Sequence, residues 1–152
     1  MNIPITLILI ASCACMASAR AQKDPETHTA AAPAASTCPS AEDMDQQHLQ
    51  GLWRATLAGA EQGALLRLGP HPELAGSVRG TVARGDATAL VTGDVHEGAL
   101  ALEESTDGIH IAATWSGDVV DGSCGKEIRG TWNNVTPETT LPFVLRKQAA
   151  GT

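Results

Sequence analysis

Apolar and polar residues alternate in short segments between positions 49 and 147, and Gly or Asp residues separate one segment from the next. In residues 51–57, Trp53, Ala55 and Leu57 share one face, whereas Arg54 and Thr56 share the other. Alternation with a period of two indicates a strand with one buried face. The pattern predicts eight strands, at residues 51–57, 64–68, 77–83, 88–96, 99–105, 109–120, 127–133 and 141–147.

Short connections between successive strands favour an antiparallel meander. Eight strands can close such a meander and remove its edges, so we predict an all-β fold, a single up-and-down β-barrel at residues 48–148 with a tail at 149–152. A two-sheet β-sandwich is the alternative. A short helix is expected within residues 41–50, with Ser40 as its N-cap.

The alternation also assigns side chains to the barrel interior. It places Ile109 and Ile111 inward at the start of a long sixth strand, and Arg146 outward in the last strand. Four aromatic residues face inward, where they either line a ligand cavity or fill a narrow core: Trp53, Trp115, Trp132 and Phe143. Small inward residues favour space between them: Ala55, Gly80, Gly93, Ala101, Ala113 and Gly130.

The segment before the barrel predicts export. Residues 3–17 are apolar and Ser18-Ala19-Arg20-Ala21 supplies a cleavage pattern, so residues 1–21 are expected to be a signal peptide and 22–47 a flexible linker. Alternatively, Ile10-Ala11-Ser12-Cys13 resembles a lipobox, with cleavage before Cys13 and its lipidation. We therefore expect a periplasmic or secreted protein, or one that is lipid-anchored to the outer membrane.

Cysteine numbers agree with an oxidising compartment. Cleavage after Ala21 leaves one pair, Cys38 and Cys124, which we predict to form a disulfide.

Charge and side-chain chemistry exclude several function classes. The net charge of −7 argues against nucleic acid as a partner. Asp94, His96 and His110 are weak candidates for a metal site, but ordinary solvated side chains explain them better.

No catalytic pattern or cofactor motif is found, because Ser123 lies outside any nucleophile elbow and Glu103 and Glu104 point to opposite faces of a strand. We therefore expect no enzyme activity and no cofactor.

The chain resembles the calycin group, which comprises lipocalins, fatty-acid-binding proteins and avidins. The resemblance consists of Gly51-Leu52-Trp53 at the start of the first strand and Arg146 in the last, where lipocalins often pack an Arg across the Trp of a Gly-x-Trp motif. Gly130-Thr131-Trp132-Asn133 is similar to the first avidin strand, but the chain has no Tyr, so biotin binding is not implied.

These observations favour an exported, non-enzymatic barrel of the bacterial cell envelope that binds an unknown protein partner through its loops or mouth. One alternative is a periplasmic inhibitor of a lysozyme-type hydrolase, or an immunity protein. Another is a calycin-like carrier of a small apolar ligand. The most polar loop, around Cys124, is a candidate partner surface and contains Asp118, Asp121, Ser123 and Lys126.

Overall fold

A computed structural model describes residues 38–149 and contains one short helix and eight strands. No helix in this range is long and apolar enough to cross a membrane. In chain order the elements are α1 (Gln46–Leu49), β1 (Gly51–Leu57), β2 (Ala64–Pro70), β3 (Val78–Arg84), β4 (Ala87–His96), β5 (Ala99–Ser105), β6 (Ala113–Val119), β7 (Glu127–Asn134) and β8 (Thr139–Lys147).

The strands form a closed antiparallel barrel in which each pairs with its neighbours in sequence. The first and last strands close it, with Trp53 opposite Lys147 and Leu57 opposite Phe143. This pairing confirms the predicted up-and-down barrel and excludes the sandwich, because a sandwich leaves its sheet edges unpaired.

Large apolar side chains fill the barrel interior. Trp115 is 0% exposed and Phe143 2%. Their rings meet edge to face with centroids 5.1 Å apart, a favourable arrangement for aromatic pairs. Aliphatic side chains from all eight strands surround Trp115 and Phe143, including Ile128 of β7 and Leu145 of β8. The aromatic residues therefore serve first as core, as the filled-interior alternative expects.

Residues 38–50 cover one end of the barrel, which we call the closed end. Met44 is 3% exposed and Leu49 1%, so the folded domain begins well before position 48 and the predicted linker ends too late. Asp45, rather than Ser40, caps α1, because its carboxylate accepts hydrogen bonds from the backbone N–H groups of Gln47 and His48.

The sixth strand is shorter than predicted, and the inward placement of Ile109 and Ile111 is wrong. Ile109 is 80% exposed and Ile111 47%, and β6 begins only at Ala113. The Asp107 carboxylate accepts hydrogen bonds from the backbone N–H groups of Ile109 and His110. These local bonds compete with strand pairing, so residues 106–112 form a loop.

One further side chain lies on the opposite face from the predicted one, and one contact implied by the resemblance is made by a different residue. Ala101 is exposed, because Leu100 and Leu102 occupy the inward face of β5. Arg146 points outward as predicted and pairs with Glu127, while the cation that lies over Trp53 is Lys147, with its Nζ atom 5.5 Å from the ring centroid. The contact implied by the lipocalin resemblance is therefore made by the neighbouring residue.

Candidate binding site at the barrel mouth

Within residues 38–149 no helix covers the end of the barrel opposite α1, and we call this end the mouth. Four connections surround it, because every second turn of an up-and-down barrel lies at the same end. These mouth loops are residues 58–63, 85–86, 106–112 and 135–138.

A buried carboxylate lies just inside the mouth. Glu104 is 4% exposed and is the only charged residue in the buried core of residues 38–149. Arg84 binds it with both terminal nitrogens, at 2.5 Å and 2.7 Å. The indole N–H groups of Trp115 and Trp132 donate to the same carboxylate, at 3.2 Å and 3.3 Å. Four donors therefore hold the carboxylate, which satisfies the requirement for burying a charge.

Burial raises the pKa of Glu104, but the hydrogen bonds and charge of Arg84, together with the two indole donors, outweigh it. The net result is a pKa below its usual value, so Glu104 is ionised at neutral pH. The ion pair is therefore a fixed feature of the interior under physiological conditions.

The Arg84 guanidinium is held between two aromatic rings. Its central carbon lies 4.8 Å from the Trp132 centroid and 5.4 Å from that of Trp115. Such stacking is favourable for a guanidinium. The Nε atom of Arg84 is the only buried side-chain nitrogen or oxygen in residues 38–149 without a hydrogen-bond partner. Arg84 therefore belongs to the interior, and only Gly85 and Asp86 form the connection between β3 and β4.

A pocket of about 420 Å³ lies above this network and opens at the mouth. The rim beside it is unusually apolar for a solvent-facing loop, since Ile109, Ile111 and Val135 are 80%, 47% and 57% exposed. The residues that line the pocket include Arg84 and Glu104, together with Thr106, Ile111, Trp132, Asn134, Val135 and Thr136.

The mouth loops carry charge of one sign. Each contains one exposed carboxylate, and none contains Lys or Arg. The His110 Nδ1 atom lies 2.7 Å from the Asp107 Oδ2 atom. The hydrogen bond between these side chains, together with those from the backbone N–H groups of His110 and Ile109, holds the pKa of Asp107 well below its usual range. The four carboxylates are those of Glu61, Asp86, Asp107 and Glu138.

Neither a scan against protein-family models nor a search of the curated proteins finds a match for this chain.

The four predicted aromatic residues separate into two groups. Trp115, Trp132 and Phe143 cluster towards the mouth, with the two Trp centroids 6.3 Å apart. Trp53 lies at the closed end, where its indole N–H donates to the carbonyl oxygen of Leu49 at 2.7 Å. Trp132 is only partly buried, so of the four it alone combines core packing with the wall of the mouth pocket.

The metal candidates are not brought together. Asp94 and His96 are exposed towards the closed end of β4, whereas His110 lies in a mouth loop and pairs with Asp107. Among residues 38–149 there is no group of three or more His, Cys, Asp or Glu residues that could hold a metal ion.

The polar candidates around Cys124 lie at the closed end, away from the mouth. Asp118, Asp121 and Lys126 are exposed, and the Ser123 hydroxyl bonds to the backbone of Glu127. Their role in partner binding stays a prediction.

The predicted disulfide between Cys38 and Cys124 is confirmed. It fastens the start of residues 38–50 to the β6–β7 connection. Cys13, the lipidation candidate, lies outside the described residues, as do the predicted signal peptide and most of the predicted linker.

Sequence reasoning missed the roles of Arg84 and Glu104. A signal was available for Glu104, because it continues the inward series Leu100, Leu102. A carboxylate in phase with an apolar face requires a buried partner. The sequence did not indicate that Arg84 is this partner, since β4 separates the two strands that carry them.

Proposed function

We propose that this protein is a non-enzymatic binding protein of the bacterial cell envelope, and that its mouth engages a cationic protein. The observation that carries the proposal is the combination of exposed Ile109, Ile111 and Val135 with mouth loops that contain four exposed carboxylates and no Lys or Arg. Exposed apolar clusters with a polar rim are typical of protein interfaces. Charge of one sign favours a partner of the opposite sign, and accelerates its association.

A basic wall hydrolase is one form that such a partner takes, and the protein would then act as its inhibitor or immunity protein. The calycin-like alternative, a carrier of a small apolar ligand, has less support. The interior is occupied by Trp115, Phe143 and the Glu104–Arg84 pair, and the adjoining pocket of about 420 Å³ lies at the mouth.

The apolar rim can be tested by exchanging Ile109 and Ile111 for serine together. We expect at least a tenfold loss of partner retention, since anchors of this size contribute about 1–3 kcal/mol each to an interface. The melting temperature should change little, because both side chains are already exposed. The measurement is quantitative mass spectrometry of envelope proteins retained on the immobilised chain at low and high salt.

Leu74→Ser is the matched control, because Leu74 is 55% exposed but lies in the β2–β3 connection at the other end of the barrel. The proposal expects a retained protein with a basic isoelectric point that Leu74→Ser keeps and the double serine variant loses. Retention of the same proteins by all three forms would contradict it.

A further inference from the structure

A second pocket, of about 430 Å³, lies at the closed end, independent of the mouth. It is formed by residues 38–50, the connection between β6 and β7 and the end of β8. Its volume falls in the range of small-molecule sites. The lining includes Pro39, His48, Cys124, Lys126, Lys147 and Ala149.

Two ammonium groups border this pocket. Lys147 is half-buried, and its Nζ atom donates to the carbonyl oxygen of His48 at 2.5 Å. Lys126 is exposed beside it. Burial lowers the pKa of Lys147, and the charge of Lys126 lowers it further, so the two cations are close enough to repel each other.

No carboxylate of residues 38–149 lines the pocket. This is notable in a chain with a net charge of −7, and the neighbouring carboxylate of Glu127 already pairs with Arg129 and Arg146. An anion in the pocket would relieve the repulsion between Lys126 and Lys147. The rest of the wall is largely apolar, because it includes the Pro39 ring, the disulfide at Cys124 and the methyl group of Ala149.

We propose that the closed-end pocket binds a small organic anion, a carboxylate with a short apolar chain, whose head group lies between Lys126 and Lys147. The chain then covers the apolar wall beside the disulfide. Inorganic phosphate matches the charge of the two lysines but leaves the apolar wall exposed to water, whereas an alcohol of the same length matches only the wall.

The test is a titration of the disulfide-bonded protein with octanoate, followed by the backbone amide signals of Gly125, Lys126 and Gln148 in NMR spectra. We expect saturable shifts at these amides and smaller, non-saturating shifts with octanol or inorganic phosphate. Lys126→Gln should weaken octanoate binding at least fivefold without changing the melting temperature, because the Lys126 side chain is exposed. Lys147 is left intact because it packs over Trp53.

Arg79→Gln is the control, since Arg79 is an exposed cation on β3 away from this pocket. Its octanoate affinity should equal that of the unmodified protein. Three results would overturn the proposal: octanol binding as tightly as octanoate, phosphate binding as tightly as octanoate, or Lys126→Gln leaving the octanoate affinity unchanged. The mouth residues have no part in this experiment, so its outcome is separate from that of partner binding.

Discussion

Replacing Glu104 with glutamine is expected to lower the free energy of unfolding by about 2–4 kcal/mol. The variant keeps the shape of the side chain and one carbonyl acceptor, but it leaves the Arg84 guanidinium without its counter-charge. The figure is below that for a fully buried pair, because a quarter of the Arg84 side chain is exposed and water screens part of the loss. Urea unfolding, monitored by tryptophan fluorescence, measures this change in the free energy of unfolding.

Glu103→Gln is the matched control, because the neighbouring carboxylate is exposed on the outer face of the same strand. It should change the free energy of unfolding by less than about 0.5 kcal/mol. The double variant Glu104→Leu with Arg84→Met should recover at least half of the loss, since removing both charges leaves no buried ion unpaired. Equal small effects of Glu103→Gln and Glu104→Gln would show that the ion pair does not stabilise the barrel.

The difference in stability between the unmodified protein and Glu104→Gln should depend on pH with a defined sign. The pKa of Glu104 is lower in the folded protein than its usual value of 4.5, so its ionised form stabilises the fold above that pH. The contribution falls as the pH falls below 4.5 and through the lower folded-state pKa. The gap in stability between the unmodified protein and Glu104→Gln should therefore be largest at neutral pH and should shrink in acid.

Loss of the Cys38–Cys124 disulfide is expected to have a comparable effect, about 4–5 kcal/mol. The bond joins residues 86 apart, and in the chain-entropy model a loop of that length restricts the unfolded chain by this amount. It also holds residues 38–50 over the closed end, where Met44 and Leu49 are buried. Thermal and urea unfolding of the Cys38→Ser, Cys124→Ser double variant, compared with the oxidised protein, tests the expectation.

The reduced protein provides a control for the serine substitutions themselves. Reductant should destabilise the unmodified chain to nearly the level of the double variant and should leave the double variant unchanged. A difference of less than about 1 kcal/mol between the oxidised protein and the double variant would mean that packing of Met44 and Leu49 alone holds the closed end.

The sequence predicted the barrel where alternation was uninterrupted. Trp53, Ala55 and Leu57 are buried as their phase required, and so are Phe143 and Leu145 in the last strand. The same phase in β8 continues to Lys147, which explains why this residue, rather than Arg146, lies over Trp53. Period two is reliable in these strands because backbone pairing leaves each side chain only one face to occupy.

The prediction was wrong where a polar side chain competed with strand pairing. Ile109 and Ile111 have the spacing of a buried strand, but the Asp107 carboxylate ties the backbone of residues 109 and 110 into a loop. Because of this error the sequence did not predict the apolar rim of the mouth, since the two isoleucines assigned to the core are exposed there. The Glu104–Arg84 pair could not be predicted for another reason. A contact across the interior depends on closure of the barrel and not on the spacing of the two residues in the chain.

The most direct test of the proposed function is site-specific photo-crosslinking in living cells of the organism that produces the protein. A photoreactive residue replaces Ile109 at the mouth in one variant and Thr131, exposed on the outer face of β7, in the other. We predict a discrete adduct with a basic protein at position 109 and no such adduct at position 131. Absence of an adduct at position 109, or the same adducts at both positions, would contradict a partner-binding mouth.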